Sequence, residues 1–199
     1  MSDAQKIWNK LLDLTGSKNF TAAIMGNMQA ESALRANNVQ NSYESAVGND
    51  ATYTAKIDNL SYPRNTFAND KAGYGLVQWT YHTRKSALYD YWQESGYKSI
   101  GDPIMQCEFC IKEIKQSYNS IWLLAGTATS IEDLTRIICT KYERPANQSD
   151  AAINNRIKYA KQIYSAFHDQ NAATETIDDI INQVDIIRDM LQSLKKIYV

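Results

Sequence analysis

Apolar residues recur at helical spacing along most of the chain, and this pattern predicts a mainly α-helical protein. A first helix is expected over residues 3–14, with Gly16 in the position of a terminating glycine. One face of this helix carries the apolar residues Ile7, Trp8, Leu11 and Leu12. Further helices are predicted over residues 21–32, 83–95, 103–118, 131–142 and 151–167.

The pattern is lost between Leu34 and Ala72, where asparagine is frequent. Gly48 and Pro63 also interrupt this stretch, and we expect a long irregular loop of the kind that usually carries function. An apolar segment that opens with glycine, residues 73–80, comes next. It is too short for a helix and is predicted to form a turn or a short strand.

The C-terminal part of the chain differs in composition from the rest. Residues 169–176 are polar and are predicted to be a linker that follows a domain of residues 1–168. Residues 177–199 are predicted to form an amphipathic helix, because apolar positions alternate at spacings of three and four as in a coiled coil. Those positions are Ile177, Ile180, Val184, Ile187, Leu191, Leu194 and Tyr198. This stripe either docks on the domain or associates with a second copy or a partner, and the sequence leaves both open.

Length and charge exclude several classes of protein. The chain has 199 residues, enough for one domain with its own core, and 21 Lys plus Arg nearly balance 22 Asp plus Glu. Without a basic excess, nucleic-acid binding is not expected. No apolar run is long enough to cross a membrane. Residues 1–6 do not resemble a signal peptide, so we expect synthesis in the cytoplasm.

Two short motifs carry the candidate chemistry. The first contains Glu31 and Ser32 at the end of the second predicted helix, and the second is Gly75-Leu76-Val77-Gln78-Trp79-Thr80. A helix that ends in a glutamate, followed by a variable loop and Gly-Leu-x-Gln, resembles the pattern of goose-type lysozymes and lytic transglycosylases. More closely, four segments resemble the phage tail-type lysozyme family of endolysins and tail-tip proteins over about residues 5–168: Gly26–Ser32, Gly73–Thr80, Arg84-Lys85 and Tyr142–Pro145.

The resemblance implies a lysozyme-like domain with a small irregular lobe, and an enzyme that cuts the glycan strands of bacterial peptidoglycan. It implies an N-acetylmuramidase, with N-acetylglucosaminidase or lytic transglycosylase activity as alternatives on the same substrate. No metal or organic cofactor is expected. The lack of a signal peptide in residues 1–6 agrees with a phage endolysin released through a holin, or with an enzyme carried in the virion.

Glu31 is the expected catalytic acid. Hydrolysis of a glycosidic bond needs a carboxylic acid that protonates the leaving oxygen. The last turn of a helix places the Glu31 carboxyl against the negative end of the helix dipole, and the apolar neighbours Met28 and Leu34 would exclude water from it. Both effects favour the protonated form. Position alone favours a solvated glutamate at the end of a helix, and the other motifs decide in favour of catalysis.

A second carboxylate is expected if the enzyme hydrolyses the bond, either as a base for water or as a nucleophile. The acidic residues of the loop are Glu44, Asp50, Asp58 and Asp70. Asp70 ranks first, because the family as we interpret it also carries an acid just before the glycine turn. A turn-forming aspartate is an equal alternative. A transglycosylase needs no second carboxylate, so hydrolysis and transglycosylation both stay open.

Side chains around the glycine turn are predicted to bind the sugar. A glycine lets the backbone approach the ligand, amide and hydroxyl groups exchange hydrogen bonds with it, and aromatic rings offer stacking faces. The candidate residues are Gly75, Gln78, Trp79, Thr80, Tyr81 and Tyr142. For Trp79, burial in the core together with Leu76 is the more probable alternative.

Two other functions compete with glycan cleavage. The three cysteines, Cys107, Cys110 and Cys139, are too few for a disulfide framework and are expected to be core thiols rather than zinc ligands. A Cys–His peptidase would pair one of them with His82 or His168, although none opens a helix after a glycine-rich turn. The other alternative is a non-catalytic domain that binds the cell wall or forms part of a phage tail.

Overall fold

The computed structural model describes residues 1–169 together with Val184 and Arg188, and the fold is mainly α-helical, which confirms the predicted class. The helices are α1 (Asp3–Thr15), α2 (Lys18–Ser32), α3 (Glu44–Val47), α4 (Asp50–Asp58), α5 (Arg64–Asn69), α6 (His82–Ser95), α7 (Pro103–Ser117), α8 (Asn119–Trp122), α9 (Ile131–Ile137) and α10 (Asp150–Phe167). Short 3₁₀ turns cover Asn41–Tyr43 and Leu123–Gly126, and a π-helical turn, Ile138–Glu143, continues α9. Met1–Tyr164 form one compact unit, which contains every site residue discussed below.

The helix ends follow from local sequence. Gly16 terminates α1 with a left-handed φ of 65°, and its N–H donates to the carbonyl oxygen of Leu12 at 2.7 Å. The next helix begins at Lys18, three residues earlier than predicted, because the Ser17 side chain accepts a hydrogen bond from the backbone of Phe20.

The prediction of an irregular loop between Leu34 and Ala72 was wrong, because this stretch contains α3, α4 and α5. Asparagine acts here as a helix cap, since the side chain of Asn49 accepts a hydrogen bond from the backbone N–H of Thr52 and begins α4. Tyr53 and Ile57, four residues apart, form the buried face of that helix.

The core is arranged around α2, whose residues 20–28 are buried on all sides. It packs against α1 and α9, while α1 packs against α7 and α5 packs against α6. Because α2 runs through the centre, its last turn brings Glu31 from the core toward the surface.

The predicted linker of residues 169–176, apart from Asp169, and the predicted helix of residues 177–199, apart from Val184 and Arg188, lie outside the described residues. Within the part that the structure describes, no helix combines the length and apolar character needed to span a membrane. The boundary after residue 168 stays a prediction.

Candidate active site

Glu31 lies in the last turn of α2, next to the glycine turn of the second motif. Ser32 Oγ is within hydrogen-bonding distance of the carbonyl oxygens of Leu76 (3.0 Å) and of Met28 (3.1 Å). The helix ends immediately afterwards, because Ala33 and Leu34 adopt left-handed backbone angles, with φ of 53° and 60°. Two motifs that are far apart in the sequence are therefore joined in space.

The segment of residues 73–80 was predicted to form a turn or a short strand. It forms a turn that is closed by an isolated β-bridge. The backbone N–H groups of Tyr74 and Trp79 donate to each other's carbonyl oxygens at 3.1 and 2.9 Å. Gly75 has a φ of 79°, and a Cβ added there would lie 2.5 Å from Oε1 of Gln106. Gly75 is thus required by packing against Gln106, which itself accepts a hydrogen bond from the backbone of Leu76.

The Glu31 carboxylate is held by a buried arginine. Arg156 Nη2 on α10 donates to Glu31 Oε1 at 2.6 Å, and the side chains are 8% and 18% exposed. Nη1 of the same guanidinium donates to Asn27 Oδ1 at 3.2 Å, and the Asn27 amide in turn donates to the backbone carbonyl of Thr135 at 3.2 Å. A charge-assisted bond of this kind fixes the position of the carboxylate.

Close packing of α2 against α10 makes that ion pair possible. A Cβ added to Gly26 would lie 2.6 Å from Cβ of Ala160, closer than real Cβ atoms approach. Gly26 therefore lets the two helices come together, and Arg156 lies one turn from Ala160 on α10. Gly26 thus has a packing role inside a helix, where glycine is otherwise unfavourable.

Glu143 is a second carboxyl within electrostatic range of Glu31. It ends the π-helical turn Ile138–Glu143, a type of distortion that frequently occurs at functional sites. Burial raises the pKa of the Glu143 carboxyl well above its ordinary value, and the charge of Glu31 raises it further. Arg84 and Arg156 oppose this increase without cancelling it.

Glu113 on α7 accepts hydrogen bonds from three side chains. Nε and Nη2 of Arg84 donate to the Glu113 carboxylate at 2.6 and 2.7 Å. Trp79 Nε1 and the Tyr142 hydroxyl donate to the same carboxylate at 3.2 and 2.7 Å. Burial lowers the pKa of Arg84 and the hydrogen bonds to Glu113 raise it, with a net increase. Glu113 and Arg84 therefore form a fixed ion pair beside Glu143.

Asp70 belongs to a different cluster. Its carboxylate accepts hydrogen bonds from Lys85 Nζ, from the hydroxyls of Tyr53 and Tyr62, and from the backbone N–H of Ala72. The side chains of Lys85 and Asp70 are 0% and 6% exposed. Burial lowers the pKa of Lys85, and Asp70 opposes that effect. The carboxylate is thus occupied by structural partners.

The sequence matches the family of phage tail lysozymes over residues 2–167. The chain belongs to the phage tail lysozyme family. Membership supports a lysozyme-like protein that acts on peptidoglycan. No curated protein matches the sequence at a significant level.

In this phage tail lysozyme family member, the predicted sugar-binding residues differ in accessibility. Trp79 and Tyr142 are buried, with their polar atoms directed to Glu113, so neither ring offers a face to solvent. Gln78 is half-buried and its amide donates to the backbone carbonyls of Asn38 and Gly75. Gly75 is buried against Gln106. Thr80 and Tyr81 are exposed, and the Tyr81 ring packs on His82 with 4.7 Å between centroids.

The cysteines are free, buried thiols, as expected. Burial raises the pKa values of Cys107, Cys110 and Cys139, which keeps each in its unreactive thiol form. Among the described residues, no group of three or more His, Cys, Asp or Glu side chains could hold a metal ion.

Sequence reasoning missed Arg156, Asn27 and Glu113, although Arg156 had a detectable signal. Arg156 shares the buried stripe of α10 with Ile153 and Ala160. A polar residue at an apolar position of a helix is informative, because such groups are seldom buried without a partner.

Proposed function

We propose that this protein is a peptidoglycan glycan-strand hydrolase of the N-acetylmuramidase type, with Glu31 as its general acid. One observation carries the proposal: the Glu31 carboxyl is partly exposed at the end of α2, where the neighbouring Ser32 bonds this helix to the Gly-Leu-x-Gln turn. Family membership supplies the substrate class.

The chemistry follows from the position of Glu31. Its carboxyl protonates the glycosidic oxygen as the bond from the anomeric carbon to that oxygen breaks. The guanidinium of Arg156, 2.6 Å away, then stabilises the carboxylate that remains. Water completes hydrolysis, whereas attack by a hydroxyl of the substrate would make the enzyme a lytic transglycosylase. N-acetylglucosaminidase activity is the other alternative.

Two further predictions concern the residues that contact the sugar and the identity of a second catalytic carboxylate. Thr80 and Tyr81 are exposed near the glycine turn and are our first candidates for contact with the sugar, together with Gln78. Asp70 as the second carboxylate stays a prediction, and its four hydrogen-bonding partners favour a structural role.

The setting in which the enzyme acts is part of the proposal. We expect it to reach the cell wall as an endolysin after holin-type release, or as a component of the phage particle, without binding nucleic acid or membranes. Self-association through residues 177–199 is a further expectation. Measurement of molecular mass with and without these residues tests it, and an unchanged oligomeric state on truncation would remove it.

The proposed activity is tested by mass spectrometry of purified peptidoglycan after digestion. Wild type should release fragments with reducing muramic ends, and Glu31→Gln should lower their yield at least about 100-fold, as expected for loss of a general acid. Glu94→Gln is the matched control, because Glu94 is an exposed glutamate near the end of α6.

The products also separate the alternatives. Anhydro ends would identify a transglycosylase, and reducing glucosamine ends a glucosaminidase. New peptide termini with intact glycan would point to a peptidase, which a thiol-blocking reagent would test. Binding to the wall without any product from wild type would favour a non-catalytic module.

A further inference from the structure

A cavity of about 610 Å³ lies beside the end of α2, on the side of the helix that faces away from Glu31. Gln29 of α2 lines this cavity, and Glu31, two residues further along, points in a direction about 200° around the helix axis. Glu31 instead faces α10 through its bond to Arg156. The cavity is therefore separate from the candidate active site, and its volume lies within the range of ligand pockets, about 300–1,000 Å³.

The walls of the cavity are held in place by buried hydrogen bonds. They come from the first turn of α1, from the end of α2 and residues 33–37, from Thr54 of α4, and from residues 99–103. The side-chain amide of Gln106, which is fully buried, donates to the carbonyl oxygens of Ala36 at 2.7 Å and Ile100 at 2.8 Å. Walls that are fixed before a ligand arrives lose little conformational freedom on binding.

Two side-chain amides in the lining have no partner. Gln29 and Asn37 both line the cavity and are half-buried. Within the part of the chain that the structure describes, no hydrogen bond engages either amide, and neither amide is closed off from solvent. Each amide offers N–H donors and a carbonyl acceptor. The two residues can therefore bind a ligand that itself carries both a donor and an acceptor.

The charged residues in the lining already have partners. Asp3 pairs with Lys6 at 3.0 Å, and Arg35 pairs with Asp50 at 2.9 Å, so a neutral ligand is favoured over a charged one. Apolar surface in the lining comes from Ala4, Ala33, Leu34, Ala36 and Pro103. Free amides beside apolar surface are complementary to a neutral secondary amide that carries a methyl group.

We propose that this cavity is a second binding site for peptidoglycan, which takes a neutral secondary amide next to a methyl group. Two parts of peptidoglycan have this chemistry, the N-acetyl groups of its amino sugars and the alanine residues of its peptides. The choice of ligand rests on the proposed function. A second contact of this kind lets the enzyme hold one part of the polymer while Glu31 acts on another, which increases the effective concentration of substrate at the cleft.

The test uses nuclear magnetic resonance of the full-length wild type labelled with ¹⁵N. Tri-N-acetylchitotriose supplies the N-acetyl group, and formyl-trialanine amide supplies the alanine. At least one probe should shift the backbone signals of Ala33, Asn37 and Gly101 in a saturable manner. A response to the sugar alone assigns the site to the glycan, and a response to the peptide alone assigns it to the peptide. No shift of these signals with either probe, at concentrations that saturate a millimolar site, would overturn the proposal.

Variants of the two amide residues test the contacts directly. Gln29→Ala and Asn37→Ala should each weaken binding of the responding probe roughly 2- to 10-fold, as expected for the loss of one hydrogen bond. Gln93→Ala is the matched control, because Gln93 is exposed near the end of α6, and its affinity should equal that of wild type. Urea denaturation shows whether each variant is folded. Unchanged affinity in both folded variants would also contradict the proposal, and the signals of wild type decide the matter if a variant does not fold.

Failure of this inference can be told apart from failure of the proposed function. The signals of Thr80 and Tyr81 report on the glycine turn beside the cleft. If wild type releases glycan fragments but the cavity signals respond to neither probe, the second site alone is lost. If the cavity signals respond and wild type releases no glycan fragments, the proposed activity fails while the binding site stands.

Discussion

The Lys85–Asp70 and Arg156–Glu31 ion pairs both have a buried cation, but they are built differently. In one, Lys85 and Asp70 are almost fully buried, at 0% and 6% exposure. In the other, Arg156 is similarly buried but Glu31 retains 18% exposure. Both pairs join distant parts of the chain, since α6 reaches the end of α5 in the first and α10 reaches the end of α2 in the second.

The difference lies in charge balance and in access. Asp70 has one cation and three further hydrogen-bond donors, and Lys85 also donates to the backbone carbonyl of Ala72 at 2.8 Å. The pair is therefore neutral and saturated. The Glu31 region also contains the carboxyl of Glu143, and burial raises the pKa of that group. A closed, saturated cluster stabilises the fold, whereas a partly exposed carboxyl such as Glu31 is accessible to a substrate.

Lys85→Met should produce the largest loss of stability among the tests of this comparison. It leaves the Asp70 carboxylate buried without its cation, and breaking a buried pair in this way typically costs about 3–5 kcal/mol of unfolding free energy. Urea denaturation at pH 7 measures the change. Lys98→Met is the control, because Lys98 is exposed and its replacement should change the midpoint little.

Asp70→Asn extends the same test to function. If Asp70 has a structural role, the variant should have a lower denaturation midpoint. The yield of glycan fragments per amount of folded protein should then equal that of wild type. Loss of product from fully folded protein would instead restore Asp70 as the second carboxylate of the reaction.

The sequence predicted the helices well because their signals are local. Gly16 and Asp102 mark helix ends through their own backbone or side-chain hydrogen bonds. The failure between Leu34 and Ala72 arose because asparagine serves both loops and helix caps, and only the burial of Tyr53 distinguishes them.

The candidate site was harder to predict, because its partners are distant in sequence. Glu31 was found from a motif, but Arg156 meets it only through the packing of α10 against α2. Likewise, Asp70 and Lys85 were each named in the sequence analysis. No local sequence pattern shows that a buried lysine binds that carboxylate. Spacing along the chain cannot separate a catalytic carboxylate from a structural one.

Gly26→Ala should have the second largest effect, because it separates the helices that carry the Glu31 pair. The new Cβ would lie 2.6 Å from Cβ of Ala160 and 2.8 Å from its backbone, and overpacking of this kind costs roughly 1–3 kcal/mol. Gly126→Ala is the matched control, since nothing lies within 4 Å of a Cβ added there. Equal denaturation midpoints for the two variants would contradict the close contact.

Glu143→Gln should have a smaller effect that depends on pH. Below the ordinary glutamate value of 4.5, Glu143 is protonated in both folded and unfolded wild type. As pH rises, the unfolded chain loses this proton while the raised pKa keeps it on the folded protein, so wild type loses stability until the pH passes the folded-state pKa. The variant lacks this loss. Its unfolding free energy relative to wild type should increase from pH 4 to pH 8. Parallel curves of unfolding free energy against pH for the two proteins would contradict the raised pKa of Glu143.

Lys161→Gln should have the smallest effect on the unfolding free energy, and it serves as the reference for an exposed ion pair. Lys161 lies on α10, as Arg156 does, and its Nζ is 2.5 Å from Glu132 on α9, but both side chains are about half exposed. Solvent screening limits such pairs to roughly 0–1 kcal/mol. Any loss should disappear in 1 M salt, where the screening length is about 3 Å. A loss as large as that of Lys85→Met would mean that burial does not separate structural from surface ion pairs in this domain.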